Sequence, residues 1–250
     1  MSNKILILIL TLIITFSCND DISHTLSSES FSEEYRNDCK GKDCAQVTID
    51  YIKIKGETEI ANKINFTVGS AIIYFLNSNY EKKIRATTIS EASEGFIKNY
   101  ESDKKEFPEL SPYLAEISVT QTSSSEKILS LQLQQYSFTG GAHGNGSTKF
   151  INFDPITGGI ISNNSLMKNK QEFTHFVEAF FRKKHNIPPK EPINSTGFWF
   201  ENDKFSLPEV IGFTETSLVF IYNQYEIASY ADGPIELSIP LEKAEPYLAF

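Results

Sequence analysis

The first residues constrain this chain most. Lys4 supplies a single positive charge, an apolar run follows from Ile5 to Phe16, and the small residue Ser17 stands immediately before Cys18. A bilayer crossing takes roughly 20 apolar residues, so the run is too short to span one, and its charge, core and small-residue end are those of an export leader. Everything after Cys18 is therefore expected to fold outside the cytoplasm.

The segment Ile14-Thr15-Phe16-Ser17-Cys18 resembles a relaxed lipobox, in which the thiol is lipidated and the chain is cut before it. Cys18 is the expected lipidation site and residues 1–17 the signal peptide; a plain secretory signal with Cys18 left over is the rival reading. An exported chain meets an oxidising compartment. Cys39 and Cys44 lie close together, and a disulfide between them is expected, worth about 2 kcal/mol through the unfolded state. Two thiolates without a second Cys or His pair do not complete a tetrahedral zinc shell.

Composition matters at this point because it sets the field around the exported body. The chain has 23 basic and 32 acidic residues, and losing Lys4 with the leader leaves 22 against 32. Such a balance repels nucleic acid and suits cationic partners.

Residues 18–38 are rich in Ser, Asp and Glu and read as a flexible tether, with Asp20 and Asp21 directly behind the anchor. Val47 to Lys55 alternates as a strand ending at Gly56, after which Ile60, Ile64, Val68, Ala71, Ile72 and Phe75 predict a helix ending near Asn77. A second helix is expected from Ser90, as its cap, to Lys105, with Phe96, Ile97 and Tyr100 inward. Strands follow at Tyr113–Val119, Leu129–Leu133 and Thr148–Phe153, the first two joined by a polar connection over Gln121–Glu126. Asp154-Pro155-Ile156-Thr157-Gly158-Gly159 makes a tight turn. Phe173, Phe176, Val177, Phe180 and Phe181 then stripe a helix over 170–184, expected to lie across the meander's inner face. Strands at 210–213, 218–222 and 235–239 and a closing helical turn over 241–248 complete the chain. The fold class expected is α+β: an antiparallel sheet meander packed by an amphipathic helix over 113–250, with a smaller N-terminal strand-helix-helix module over 39–112.

The stretch Tyr136-Ser-Phe-Thr-Gly140-Gly141-Ala-His143-Gly144-Asn145, with Asn152-Phe153-Asp154 and Thr157-Gly158, resembles the signature of an exported domain family that includes the extracellular part of the anti-sigma factor RsiV. Tyr225-Glu-Ile-Ala-Ser-Tyr230-Ala-Asp-Gly233 before Ile239-Pro240 is the companion pattern. The N-terminal half, from the cysteine pair through a strand to a long amphipathic helix, is similar to the module that precedes the catalytic domain in PdaC-type peptidoglycan deacetylases. The RsiV resemblance implies lysozyme binding, and the PdaC resemblance implies contact with peptidoglycan. Neither is expected to bring chemistry with it: this sequence shows no Asp-Asp pair with a downstream His-x-x-x-His, and no sigma-binding segment is expected.

The glycine-rich segment Gly140–Gly146 could be imagined as a phosphate cradle, but a strand rather than a helix follows it. The structural reading is a sharp crossing between strands, with His143 and Asn145 bonding backbone groups there. As a general base His143 would need an orienting carboxylate, with Asp154 across the hairpin as the one candidate. His175 and His185 are ten residues apart and share no helical metal face, and His24 falls in the tether. Phe198, Trp199, Phe200, Tyr222, Tyr225 and Tyr230 could be core, or, for Trp199, Tyr225 and Tyr230, an exposed surface that stacks on sugars or anchors a protein.

No cofactor and no metal are expected, nor is an enzyme. The leading expectation is a lipid-anchored envelope protein that binds a lysozyme-like muramidase. Peptidoglycan attachment is the second, and an envelope hydrolase centred on His143 the third.

Overall fold

The computed structural model describes residues 26–38, 44–78 and 86–250. Cys18 and Cys39, and with them the lipid anchor and the Cys39–Cys44 bridge, lie outside the described residues. Among the described residues no helix is long and apolar enough to cross a membrane.

The chain forms two sheets with a helical cover on each. Strands β1 (Ser28–Arg36), β2 (Gln46–Ile54), β3 (Leu114–Ser124), β4 (Leu129–Phe138) and β5 (Asn145–Phe153) make a five-stranded sheet in chain order. Every pair in it is antiparallel except β2 with β3. A parallel pair needs a long crossover, and helices α1 (Glu59–Ser78) and α2 (Ile89–Glu106) supply it. The apolar stripe of α1 buries Ala61, Ile64, Val68, Ile72 and Leu76. Asn65 pins this helix to β2, accepting from Ile54 N at 2.8 Å and donating to Ile54 O at 2.9 Å.

Three expectations change here. Residues 28–36 of the expected tether form the edge strand β1, because Phe31, Glu33 and Tyr35 alternate onto the covered face of the sheet. Phe31 stacks on Tyr51 at 5.5 Å, and the Tyr51 hydroxyl donates to Glu33 at 2.5 Å. The cap of α2 is Thr88, not Ser90: Thr88 Oγ accepts from Glu91 N at 3.1 Å while the Glu91 carboxylate accepts from Thr88 N, a reciprocal box that Ser90 has no partner to form. The boundary expected at 112/113 runs through the β2–β3 pair, since one apolar core extends from Ala45 to Phe153.

The second unit is built from α3 (Lys170–Lys184), β6 (Val210–Phe213), β7 (Ser217–Tyr222), β8 (Ile235–Pro240) and the short α4 (Leu241–Ala244). Its three-stranded sheet has the order β6-β7-β8, antiparallel throughout. Phe173, Val177 and Phe181 of α3 are buried with Ile211, Phe213, Leu218 and Phe220 of this sheet. The aromatic helix therefore covers the small sheet and not the meander, whose inner face α1 and α2 already occupy.

The units join through a polar seam. Ser130 Oγ donates to Asn152 Oδ1 at 2.8 Å, Asn152 Nδ2 donates to Ile211 O at 2.8 Å, and Phe213 N donates to Ser130 Oγ at 3.1 Å. Ser130 and Asn152 are buried, so each bond satisfies a group that water does not reach. The β5 edge is closed by Asn223, whose side chain accepts from Thr148 N at 2.8 Å and donates to Thr148 O at 3.0 Å, as a neighbouring strand would.

Candidate binding site

The glycine segment links β4 to β5 and reaches the second unit. Gly140 and Gly141 have φ of 93° and 90°, a backbone region that favours glycine, and they turn the chain back on itself. Gly144 is needed for a different reason: a Cβ there would stand 2.4 Å from Tyr136 Oη and 2.7 Å from Ser137 O. The close approach leaves the Gly144 carbonyl facing a partner 86 residues away, and Tyr230 Oη donates to it at 3.1 Å.

His143 sits on the same anchor. Its ring stacks on Tyr230 with centroids 4.6 Å apart, and Nδ1 lies 3.0 Å from Gly144 O, so the tautomer with its hydrogen on Nδ1 donates there. Tyr230 in turn faces Tyr225 at 5.5 Å. His143, Tyr230 and Tyr225 thus form one row of rings, with Tyr225 58% exposed and Tyr230 half-buried between exposed neighbours. Tyr225 holds a φ of 67°, a conformation a bulky residue seldom adopts, in the turn after Asn223.

The other candidates separate. Trp199 is 53% exposed and its backbone N–H donates to Ile227 O at 2.8 Å, which places it on the segment beside the row without joining the stack. Phe200 and Tyr222 are core residues, and Tyr222 Oη donates to Ser206 O at 2.6 Å. Asn145 begins β5 opposite Ser137 and belongs to the ladder. Asp154 lies at the other end of β5 from His143, about 30 Å away by strand rise. Its carboxylate accepts from Ile156 N at 2.8 Å and Thr157 N at 3.3 Å, which hold it below the usual carboxylate range. The pairing with His143 across the hairpin is therefore not formed. Among the described residues no group of three or more His, Cys, Asp and Glu side chains could hold a metal ion.

A cavity of about 530 Å³ opens between Lys149 and Phe150 of β5 and Glu209, Val210, Asn223 and Glu226 of the second unit. These residues are far apart in sequence and follow no motif spacing, so only the docking of the two sheets reveals them.

The architecture is that of a two-sheet α+β protein with an aromatic row braced across the seam. Residues 39–146 match the family model described as deacetylase PdaC, and residues 160–242 match that of a protein of unknown function, DUF3298. The two matches divide the chain close to where the two apolar cores divide. A crystal structure of a DUF3298 family member from Bacteroides fragilis is similar over 90% of this chain and 95% of its own, with a TM-score of 0.69 and 21% identity. A DUF3298 family protein from Pseudomonas aeruginosa PAO1 covers 89% of this chain and 94% of its own, with a TM-score of 0.64 and 20% identity. At these identities the likeness speaks for the fold. None of the curated proteins matches the chain.

Proposed function

We propose that this protein is a lipid-anchored binding module of the cell envelope whose ligand is a lysozyme-like muramidase. The observation that carries the reading is the row His143–Tyr230–Tyr225, which presents exposed aromatic faces on a scaffold fixed from both units. Interface energy concentrates in such Tyr-rich anchors, and rings that are already held lose little freedom on binding. The chain's excess of acidic residues would steer a basic protein toward it. The resemblance to the extracellular part of RsiV supports this choice of ligand class.

Capture of hen lysozyme by the purified mature protein at near-physiological salt is the test, with Tyr225→Ala expected to weaken it about tenfold. No capture removes the muramidase as ligand. A mass shift of a diacylglyceryl group on Cys18 tests the anchor, and thiol titration of the unreduced protein tests the Cys39–Cys44 bridge. Peptidoglycan is the second reading, favoured by the match of residues 39–146 to the PdaC model and by rings able to stack on sugars. Cosedimentation with purified sacculi, without lysozyme capture, would select it.

A further inference from the structure

We infer that the cavity at the seam is a docking pocket for a lysine or arginine side chain of a basic protein partner. The inference rests on the muramidase reading above for the identity of the partner, but the pocket stands on its own geometry.

The floor is apolar and fixed. Phe150 packs with Val210, Val219 and Ile221, and its ring lies so close to Gly212 that a Cβ there would stand 2.0 Å from it. The frame is equally fixed, because Asn223 is tied to Thr148 by two hydrogen bonds and its own N–H donates to Glu226 at 2.9 Å. An aliphatic stem can lie on such a floor while its charged end stays at the mouth.

Glu209 and Glu226 line the same cavity and are both exposed to solvent. Glu226 accepts from Asn223 N, yet burial and the neighbouring Glu209 together leave its carboxyl above its ordinary range, as expected for two like charges beside one cavity. Among the described residues neither carboxylate forms an ion pair. Lys149 is the one cation in the lining, and its ammonium lies 5.8 Å from the Tyr74 ring centroid. Two carboxylates against one ammonium leave the pocket negative, which selects a cation. Two carboxylates over an apolar floor suit an organic cation better than a calcium or magnesium ion, whose shell takes six or more oxygens.

The surroundings fit a protein partner rather than a free small molecule. Tyr74, 68% exposed, stands beside Lys149, and Tyr225, 58% exposed, directly precedes Glu226. Two exposed tyrosines flanking an acidic, apolar-floored slot are the anchors and pocket that a basic surface would engage.

The test uses the full mature protein and two probes, hen lysozyme by titration calorimetry and Nα-acetyl-arginine amide by NMR. The double variant Glu209→Gln/Glu226→Gln keeps the shape and is checked for folding by near-UV circular dichroism. The expected result is shift changes confined to Phe150, Glu209, Val210 and Glu226 with the arginine probe, abolished in the double variant, and about tenfold weaker lysozyme binding with a shallower salt dependence. Lysozyme binding that is unaltered in a folded double variant overturns the pocket and leaves the muramidase reading intact. Absence of lysozyme binding together with arginine shifts at the cavity overturns the muramidase reading and keeps the pocket. No response to the arginine probe in the folded wild type overturns the pocket.

Discussion

The ring of Tyr230 carries His143 on its face at 4.6 Å while its hydroxyl donates to the Gly144 carbonyl at 3.1 Å. One side chain of the second unit thereby holds the loop that closes the hairpin of the first. Tyr230→Phe removes the hydrogen bond but keeps the stack, and should cost about 1 kcal/mol in chemical denaturation. Tyr230→Ala also releases His143. It should weaken ligand capture more than Tyr230→Phe does, and equal capture by the two variants would take the ring row out of the binding surface.

The close approach of Phe150 to Gly212 gives a second prediction. Gly212 sits in β6 with no unusual backbone, so the objection to a side chain there is steric alone. Gly212→Ala should destabilise by about 1–3 kcal/mol, since the ring must leave its packing against Val210, Val219 and Ile221 to make room for the methyl group. Adding Phe150→Leu should recover part of the loss, a coupling that a double-mutant cycle in urea reads directly.

Periodicity made most elements legible and left their partners hidden. The stripe of Ile64, Val68 and Ile72 and the alternation of Leu129, Leu131 and Leu133 each follow from local burial, so α1 and β4 could be placed from sequence. The partner of α3 could not, because Phe173 and Phe181 bury equally well against any apolar sheet. The strand β1 was concealed by composition: Ser, Glu and Arg on its solvent side mask the Phe31–Glu33–Tyr35 alternation. At the site, the glycines and tyrosines stood out as residue types, and their meeting across 86 residues did not. Glu209, Glu226 and Lys149 look like ordinary surface charges until the sheets dock.

The edge strand makes a pH-dependent contribution whose sign is fixed by Glu33. Burial alone would raise this carboxyl, but the hydroxyls of Tyr35 and Tyr51 donate to it and Lys53 lies nearby, so the net effect holds it below the ordinary value. A depressed carboxyl stabilises the fold above its unfolded pKa, about 4.3, and the gain is lost as pH falls through the folded value. Melting temperature should therefore drop between about pH 5 and pH 3 and drop less in Glu33→Gln. Deleting residues 1–38 should lower stability at neutral pH, which removal of a mere tether would not do.

Glu226 makes the opposite contribution. Its carboxyl is raised by burial and by Glu209, against the hydrogen bond it accepts from Asn223 N. For a carboxyl raised in the folded state, stability is fully present below the unfolded pKa and is lost as pH climbs through the folded one, because the folded chain must then keep a partly desolvated charge beside Glu209. Glu226→Gln retains an oxygen for Asn223 N and removes the charge. The variant should melt above wild type at pH 7, and the two should converge near pH 3, where both side chains are neutral. A cationic ligand in the cavity would compensate the same charge, so the stabilisation by lysozyme should be greater in wild type than in Glu226→Gln. Thermal scans with and without lysozyme at pH 7 check both expectations together, and a wild type that melts above Glu226→Gln without ligand would show the carboxylate already compensated within the fold.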